Sequence, residues 1–370
     1  MKINSITKYR VIMNERMINQ FMDMVRIDSE SGNEAEFINY LKPEFEKLGG
    51  NVTIDSYGNL VAKFPEKECR GKDPILFSCH ADTVQPGKGI EPELKEGVIR
   101  SKGDTILGAD DKAGISELME ALRVAEVRPP VEIAITKQEE VGLLGVKALD
   151  TSLITAKKGY LLDNDVLDTI IIGGPSYYAI DVTITGRGAH AGMEPEKGLN
   201  AIQAASFAIA KLKLGRLDEE TTANVGVIEG GLIRNGVPDK AKFLAECRSL
   251  THEKAEKLCN EMEALIREET TKNGCTVEID IDNKCNAVQI SPDAEVVVTS
   301  QKALKTVGID AKPVFITGFT DASIHNNNGV EMAGIGIGAK LEHSTDEHIY
   351  VDDMEKAKNV IVEILRLSAE

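Results

Sequence analysis

No run of apolar residues in the chain approaches the ~18 that a membrane span needs, and the N-terminus lacks the apolar core and small-residue cleavage site of a signal peptide. A cytoplasmic protein is therefore expected. Basic residues are in the minority, 43 Lys and Arg against 60 Asp and Glu, and the formal net charge is −17. Such a surface repels nucleic-acid phosphates and anionic lipid, so neither nucleic acid nor membrane is expected as a partner. The six cysteines, Cys69, Cys79, Cys247, Cys259, Cys275 and Cys285, include no C-x-x-C pair, which argues against a zinc knuckle or a redox dithiol. Reduced thiols follow. Internal repeats and low-complexity segments are also missing, and the opening MKINSITKYRVI carries no assigned role.

What is present is an ordinary globular composition, 42% hydrophobic and 28% charged over 370 residues. That length exceeds what one core sustains, so two domains are expected. A helical pattern spans Arg16 to Leu48, closed by Gly49-Gly50. Short apolar runs at 52–54, 60–64, 75–79, 131–136 and 160–162 then alternate with a helix face built on Ile115, Leu118, Met119 and Leu122. This is the texture of an α/β sheet covered by helices. After Gly173-Gly174-Pro175 the pattern changes to strand, helix, two strands, a long charged helix and a last strand. That βαββαβ order is ferredoxin-like. The α/β texture returns at Val288, so we expect a discontinuous first domain, 1–175 with 288–370, interrupted by an inserted domain at 176–287.

Five acidic or imidazole clusters fall at strand ends or loop turns: His80 with Asp82, Asp110-Asp111, Glu139-Glu140, Asp163 and His343. In open α/β sheets, ligands bind beyond the carboxyl ends of the strands, where all five could meet. In an extended chain positions i and i+2 point to one side, so His80 and Asp82 share a direction. Taken singly, Asp110-Asp111 fits a helix N-cap and Glu139-Glu140 a solvated helix start. Together the clusters make an inventory of imidazoles and carboxylates without thiolate, suited to zinc, cobalt or manganese. Two such ions share and activate a water, and one further carboxylate is then needed as base.

The stretches SCHADTV, ILGADDKAGI, EEVGLLGVK, YLLD and HSTDE resemble the M20 family of dinuclear metallopeptidases, most closely its peptidase T branch, over nearly the whole chain. The resemblance implies a zinc-exopeptidase-like mixed sheet with an inserted lid and dimerisation domain, a homodimer, and two zinc ions per subunit. It implies that Asp110 bridges the metals, with His80 and Asp163 on one and Glu140 and His343 on the other. It further implies that Glu139 is the general base, that Asp82 orients His80, and that the Asp110–Asp111 peptide is cis. In GRGAHAG, His190 would stabilise the oxyanion in the partner subunit's site, and Asn235 and Arg248 would contact substrate. The implied activity is release of the N-terminal residue from short peptides.

One departure stands out. Where the peptidase T branch has RGGTDG, this chain has TGFTDA at 317–322. Threonine cannot pair bidentately with a substrate carboxylate as arginine does, so strict tripeptide specificity is not expected. The rival readings are an M20-type amidase or carboxypeptidase acting on N-acyl amino acids or dipeptides, and a non-catalytic metal or peptide binder.

Overall fold

The computed structural model describes residues 5–370, with side chains from Glu15 onward. The stretch MKINSITKYRVI thus begins outside the described residues. The chain forms two compact units, one running to Gly173 and resuming over Ile290–Phe315 and Thr320–Glu370, the other comprising Gly174–Gln289 and Ile316–Phe319.

The first unit is built on a mixed sheet in which Asn51–Ile54, Leu60–Phe64, Val131–Thr136, Ile75–His80, Lys158–Asn164, Glu331–Gly336 and Thr169–Gly174 follow one another. Ile75–His80 runs parallel to both its neighbours, and Lys158–Asn164 is parallel to Glu331–Gly336. Four adjacent strands therefore release the chain at the same edge. Ile75–His80 and Val131–Thr136 are buried along their whole length, which explains why their sequences, ILFSCH and VEIAIT, are mostly apolar: a strand covered on both faces has no solvent side to alternate toward. On one face Val61, Leu76, Ala134, Leu161 and Met332 pack with Leu149, Ala156 and Ala322. Each fully buried leucine there contributes about 1.5–3 kcal/mol of transfer free energy.

The helix Ala109–Val124 packs against Val351–Ser368, whose Met354, Ala357, Ile361, Ile364 and Leu365 are buried at the expected helical spacing. The expected N-terminal helical stretch is interrupted, forming Ser5–Val25 and then Ala35–Lys47. A small antiparallel sheet pairs Ala339–Lys340 with His348–Tyr350. Its connecting loop, 341–347, carries His343.

In the second unit the strand Ser176–Thr185 lies between Lys240–Ser249 and Thr276–Cys285. Thr221–Gly230 lies beyond Lys240–Ser249, and every pairing is antiparallel. The helices Ala201–Lys211 and His252–Lys272 pack on one face, around Ile180, Val182, Ala204, Phe243, Met262 and Ile266. The order is the βαββαβ read from the sequence.

Candidate metal centre

His80 closes its strand. Its main-chain N–H donates to Asp111 Oδ2 at 3.0 Å, and its Nδ1 lies 2.9 Å from the carbonyl oxygen of Asp82. The Asp82 carboxylate is farther from that nitrogen, at 3.5 Å. A proton held on Nδ1 by the carbonyl leaves Nε2 free to act as a ligand. Nε2 faces Asp110 Oδ1 at 3.0 Å and Asp163 Oδ1, at the end of its own strand, at 3.7 Å.

Asp110 sits where the helix starting at Ala109 is kinked: Asp110 and Asp111 leave helical geometry, and the peptide between them is cis. Its second oxygen, Oδ2, lies 3.2 Å from His343 Nε2. That nitrogen also lies 2.9 Å from Glu140 Oε1. One carboxylate therefore faces an imidazole with each of its oxygens. Ligand-type atoms of His80, Asp110 and Glu140 all fall within 4.8 Å of one another.

Asp82 is fully buried, and its carboxylate faces both the His80 ring and the neighbouring loop. Its oxygens accept from Glu139 N at 2.9 Å, Glu140 N at 3.2 Å and Ser31 Oγ at 2.7 Å. The Gly142 and Leu143 N–H groups donate to the Glu139 carbonyl, turning the chain immediately after the two glutamates.

The cluster is short of positive charge. Burial, aided by Asp110 and Glu140, pushes Asp163 up to about 7 against the pull of His80. Burial and the charge of Asp163 hold Glu139 well above the usual carboxylate range. Burial opposes ionisation of Asp110 as well, but bonds from His343 and His80 outweigh it and keep that group low. Bonds to Asp110 and Glu140 lift His343 to about 11. Two imidazoles and a surplus of buried carboxylates, without thiolate, are a donor set that divalent cations complete.

In the second unit, Ala189–His190 pairs with Gly236–Val237, and Ala191 N donates to the Asn235 carbonyl. His190 and Asn235 are thus brought together, both exposed. Arg248 lies elsewhere in this unit, its guanidinium 4.4 Å from the centroid of Tyr177 and 5.6 Å from that of Phe319. It donates to Glu246 Oε2 at 3.0 Å and to the Thr317 carbonyl at 3.1 Å. The TGF stretch that replaces RGG therefore packs on Arg248, which explains why 316–319 leaves the first unit.

Several buried polar groups here had no role in the sequence reading. Asp321 accepts from Thr136 Oγ1, and burial lifts it to about 7. Lys112 is fully buried; its Nζ donates to the Ile27 carbonyl at 2.8 Å and lies 4.7 Å from the Phe37 ring centroid. Glu347 accepts four main-chain N–H groups, those of residues 107–110. Asp321 and Glu347 sit inside TGFTDA and HSTDE, and that placement is their only signal in the sequence.

Residues 59–204 match the sequence pattern of peptidase family M28, and residues 176–274 match the M20 peptidase dimerisation domain. The M28 match ends at 204, whereas other relatives align end to end. The uncharacterized protein YqjE of Bacillus subtilis is 37% identical over 97% of this chain and 100% of its own length. Among solved structures, aminopeptidase PepT from Bacillus cereus is 37% identical with a TM-score of 0.90, covering 96% of this chain and 99% of its own. A tripeptidase from Staphylococcus aureus is 32% identical with a TM-score of 0.92, covering 96% and 98%. The chain belongs to the peptidase T-like branch of the M20 metallopeptidases.

Proposed function

We propose that this enzyme is a two-zinc exopeptidase that releases the N-terminal residue of short peptides. The observation that carries this reading is the Asp110 carboxylate, with one oxygen toward His80 and the other toward His343. Such a group is what two metals sharing a bridging ligand require. His80 and Asp163 would hold one ion, Glu140 and His343 the other, and Asp110 both; when bound, the ions would polarise the scissile carbonyl and lower the pKa of the attacking water. Cobalt or manganese suits the same donors.

Glu139 is the proposed general base. A carboxylate beside the proposed ligands can take the water's proton and pass it to the leaving amine. Asp82 fixes both glutamates through their main-chain N–H groups. His190 is assigned as donor to the tetrahedral oxyanion, and Asn235 and Arg248 as substrate contacts. The first unit and the inserted unit take the catalytic and the lid and dimerisation roles. Because Thr317 carries no charge, peptides without a free C-terminal carboxylate are also substrates in this reading.

A homodimer is the proposed assembly, supported by the dimerisation-domain match. Thr221–Gly230 pairs along its length with Lys240–Ser249 but on its other side only through Thr222 and Ala223, among the described residues. The exposed Val227 and Ile228 lie on this strand. No helix of the described residues is long and apolar enough to cross a membrane, and a cytoplasmic location is proposed.

The test is mass-spectrometric product analysis of zinc- or cobalt-loaded enzyme with Leu-Gly-Gly, its C-terminal amide, Leu-Gly and N-acetyl-Leu-Gly-Gly. Free leucine from the unblocked peptides, the amide included, is expected. Cleavage of the acetylated peptide would move the assignment to an amidase or carboxypeptidase, and no cleavage to a binding protein.

A further inference from the structure

The loop that presents His343 also carries Glu347, which is almost completely buried at 2% exposure. Glu347 Oε2 accepts from the N–H groups of Leu107 and Gly108, each at 2.7 Å. Its Oε1 accepts from Ala109 at 2.8 Å and from Asp110 at 3.1 Å. Four consecutive main-chain donors thus converge on one carboxylate, and they can do so because Gly108 adopts φ 72°, a left-handed conformation that turns successive N–H groups to one side.

The loop is itself tied together. Glu347 N donates to the Ser344 carbonyl at 3.1 Å, and Ser344 Oγ donates to the Leu341 carbonyl at 2.6 Å. His343 and Glu347 are therefore two ends of one braced turn, and both engage Asp110: His343 Nε2 meets its carboxylate at 3.2 Å, and Glu347 holds its main chain. An ordinary helix cap comes from the residue next to the helix and satisfies one or two donors. This one comes from 237 residues along the chain and joins two loops that each bear a metal-ligand candidate.

We propose that Glu347 is a positioning residue of the metal centre: by gathering the 107–110 main chain, it sets the Asp110 carboxylate in register between His80 and His343. The inference rests on the reading of Asp110 as the shared metal ligand. Glu347 itself touches no reacting atom. In Glu347→Gln one oxygen becomes an NH2 that faces two N–H donors, so half of the cradle loses its acceptor and the loop must shift. Losing an outer group of this kind typically weakens metal binding by about 10- to 100-fold.

The experiment uses the full-length chain, stripped with chelator and titrated with Co(II), followed by visible absorption and calorimetry. The parent is expected to take up about two ions per chain. Glu347→Gln is expected to bind at least one of them about 10- to 100-fold more weakly, with an altered visible spectrum and, at saturating Co(II), a lower kcat at unchanged KM. Glu347→Asp keeps the charge with a shorter reach and should fall between the two. A merely structural role would lower the thermal midpoint of the stripped protein while leaving affinity and spectrum as in the parent, and that result overturns the proposal. Should Glu347→Gln fail to fold, Glu347→Asp decides on the same two readouts. A parent that binds no Co(II) overturns the metal reading itself, whereas a parent that binds normally beside an unaffected variant overturns only the role of Glu347.

Discussion

Replacing Asp82 by asparagine removes one charge without changing size, and the hydrogen bonds decide where the damage falls. Oδ1 accepts from Glu139 N at 2.9 Å and lies 3.5 Å from His80 Nδ1. Oδ2 accepts from Glu140 N at 3.2 Å and from Ser31 Oγ at 2.7 Å. An amide NH2 in the Oδ1 place would face two donors. In the Oδ2 place it faces Glu140 N–H and a serine hydroxyl, which can rotate and accept. The second orientation therefore wins, and the group left without a partner is the main-chain N–H of Glu140. His80 keeps its nearer Nδ1 partner, the Asp82 carbonyl at 2.9 Å, and loses only the charge of the carboxylate at 3.5 Å. A buried N–H that loses its acceptor costs about 1–3 kcal/mol, which corresponds to roughly 5- to 150-fold in affinity if the loss is expressed in metal binding. Calorimetric titration of the stripped variant with Co(II) should show one ion bound more weakly by that factor and the other close to the parent value. Two affinities both within about twofold of the parent, a change far below the 1 kcal/mol floor, would refute the reasoning. So would weakening confined to the ion proposed for His80 and Asp163, which would show that the carboxylate acts mainly through the imidazole.

Glu139→Gln should lower kcat by about 10²- to 10⁴-fold while Co(II) stoichiometry stays unchanged, because Glu139 is proposed as base and not as ligand; a kcat within about tenfold of the parent would remove that role. His325, 3% exposed and 3.1 Å from Ser78 Oγ, is pushed down to about 4 by burial. Its folded pKa lies below the unfolded value of about 6.5, so the unfolded chain binds the extra proton first; this contribution to stability is present above pH ~6.5 and lost as pH falls toward 4. Between pH 7.5 and 4.5 it amounts to about 2–3 kcal/mol. Urea unfolding of the metal-free protein should show the parent losing that much more than His325→Gln over this interval, and parallel curves would show the imidazole is not held neutral. Light scattering should give a mass twice that of the chain, falling toward the monomer in Ile228→Glu; a monomeric parent would remove the proposed dimer.

The residues of the metal centre were legible because each sits where an apolar strand pattern stops or a loop turns, and because parallel strands deliver their ends to one edge. Position and residue type nominated the clusters, the family resemblance singled out His80, Asp110, Glu140, Asp163 and His343 within them, and the structure brings these five together. The action of Asp82 was less legible. The i, i+2 spacing says that two side chains point the same way, but not that a carbonyl will reach the imidazole before the carboxylate does. Glu347 and Asp321 left no local pattern at all, since each is defined by partners distant in sequence, Glu347 by the 107–110 main chain and Asp321 by Thr136. The expected domain boundary at 288 likewise did not anticipate that 316–319 would join the second unit. A threonine carbonyl and a phenylalanine ring that serve Arg248 carry no sequence signature of doing so.

Three of these carboxylates share one physical task. Asp82 accepts the N–H groups of Glu139 and Glu140, Asp111 accepts that of His80, and Glu347 accepts that of Asp110 and the three residues before it. None of the three is a proposed ligand, yet each grips the main chain of a residue that is. Loops are ordinarily the mobile part of an α/β fold, and packing alone holds them poorly. Bonds from main-chain donors to a buried carboxyl group are short and directional. Fixing a ligand by its backbone also restricts its side chain to the few rotamers its neighbours allow, which is the precision a two-metal site needs. The arrangement therefore predicts a centre that keeps its geometry when the metal is removed, and it locates the rigidity in groups that never contact the substrate.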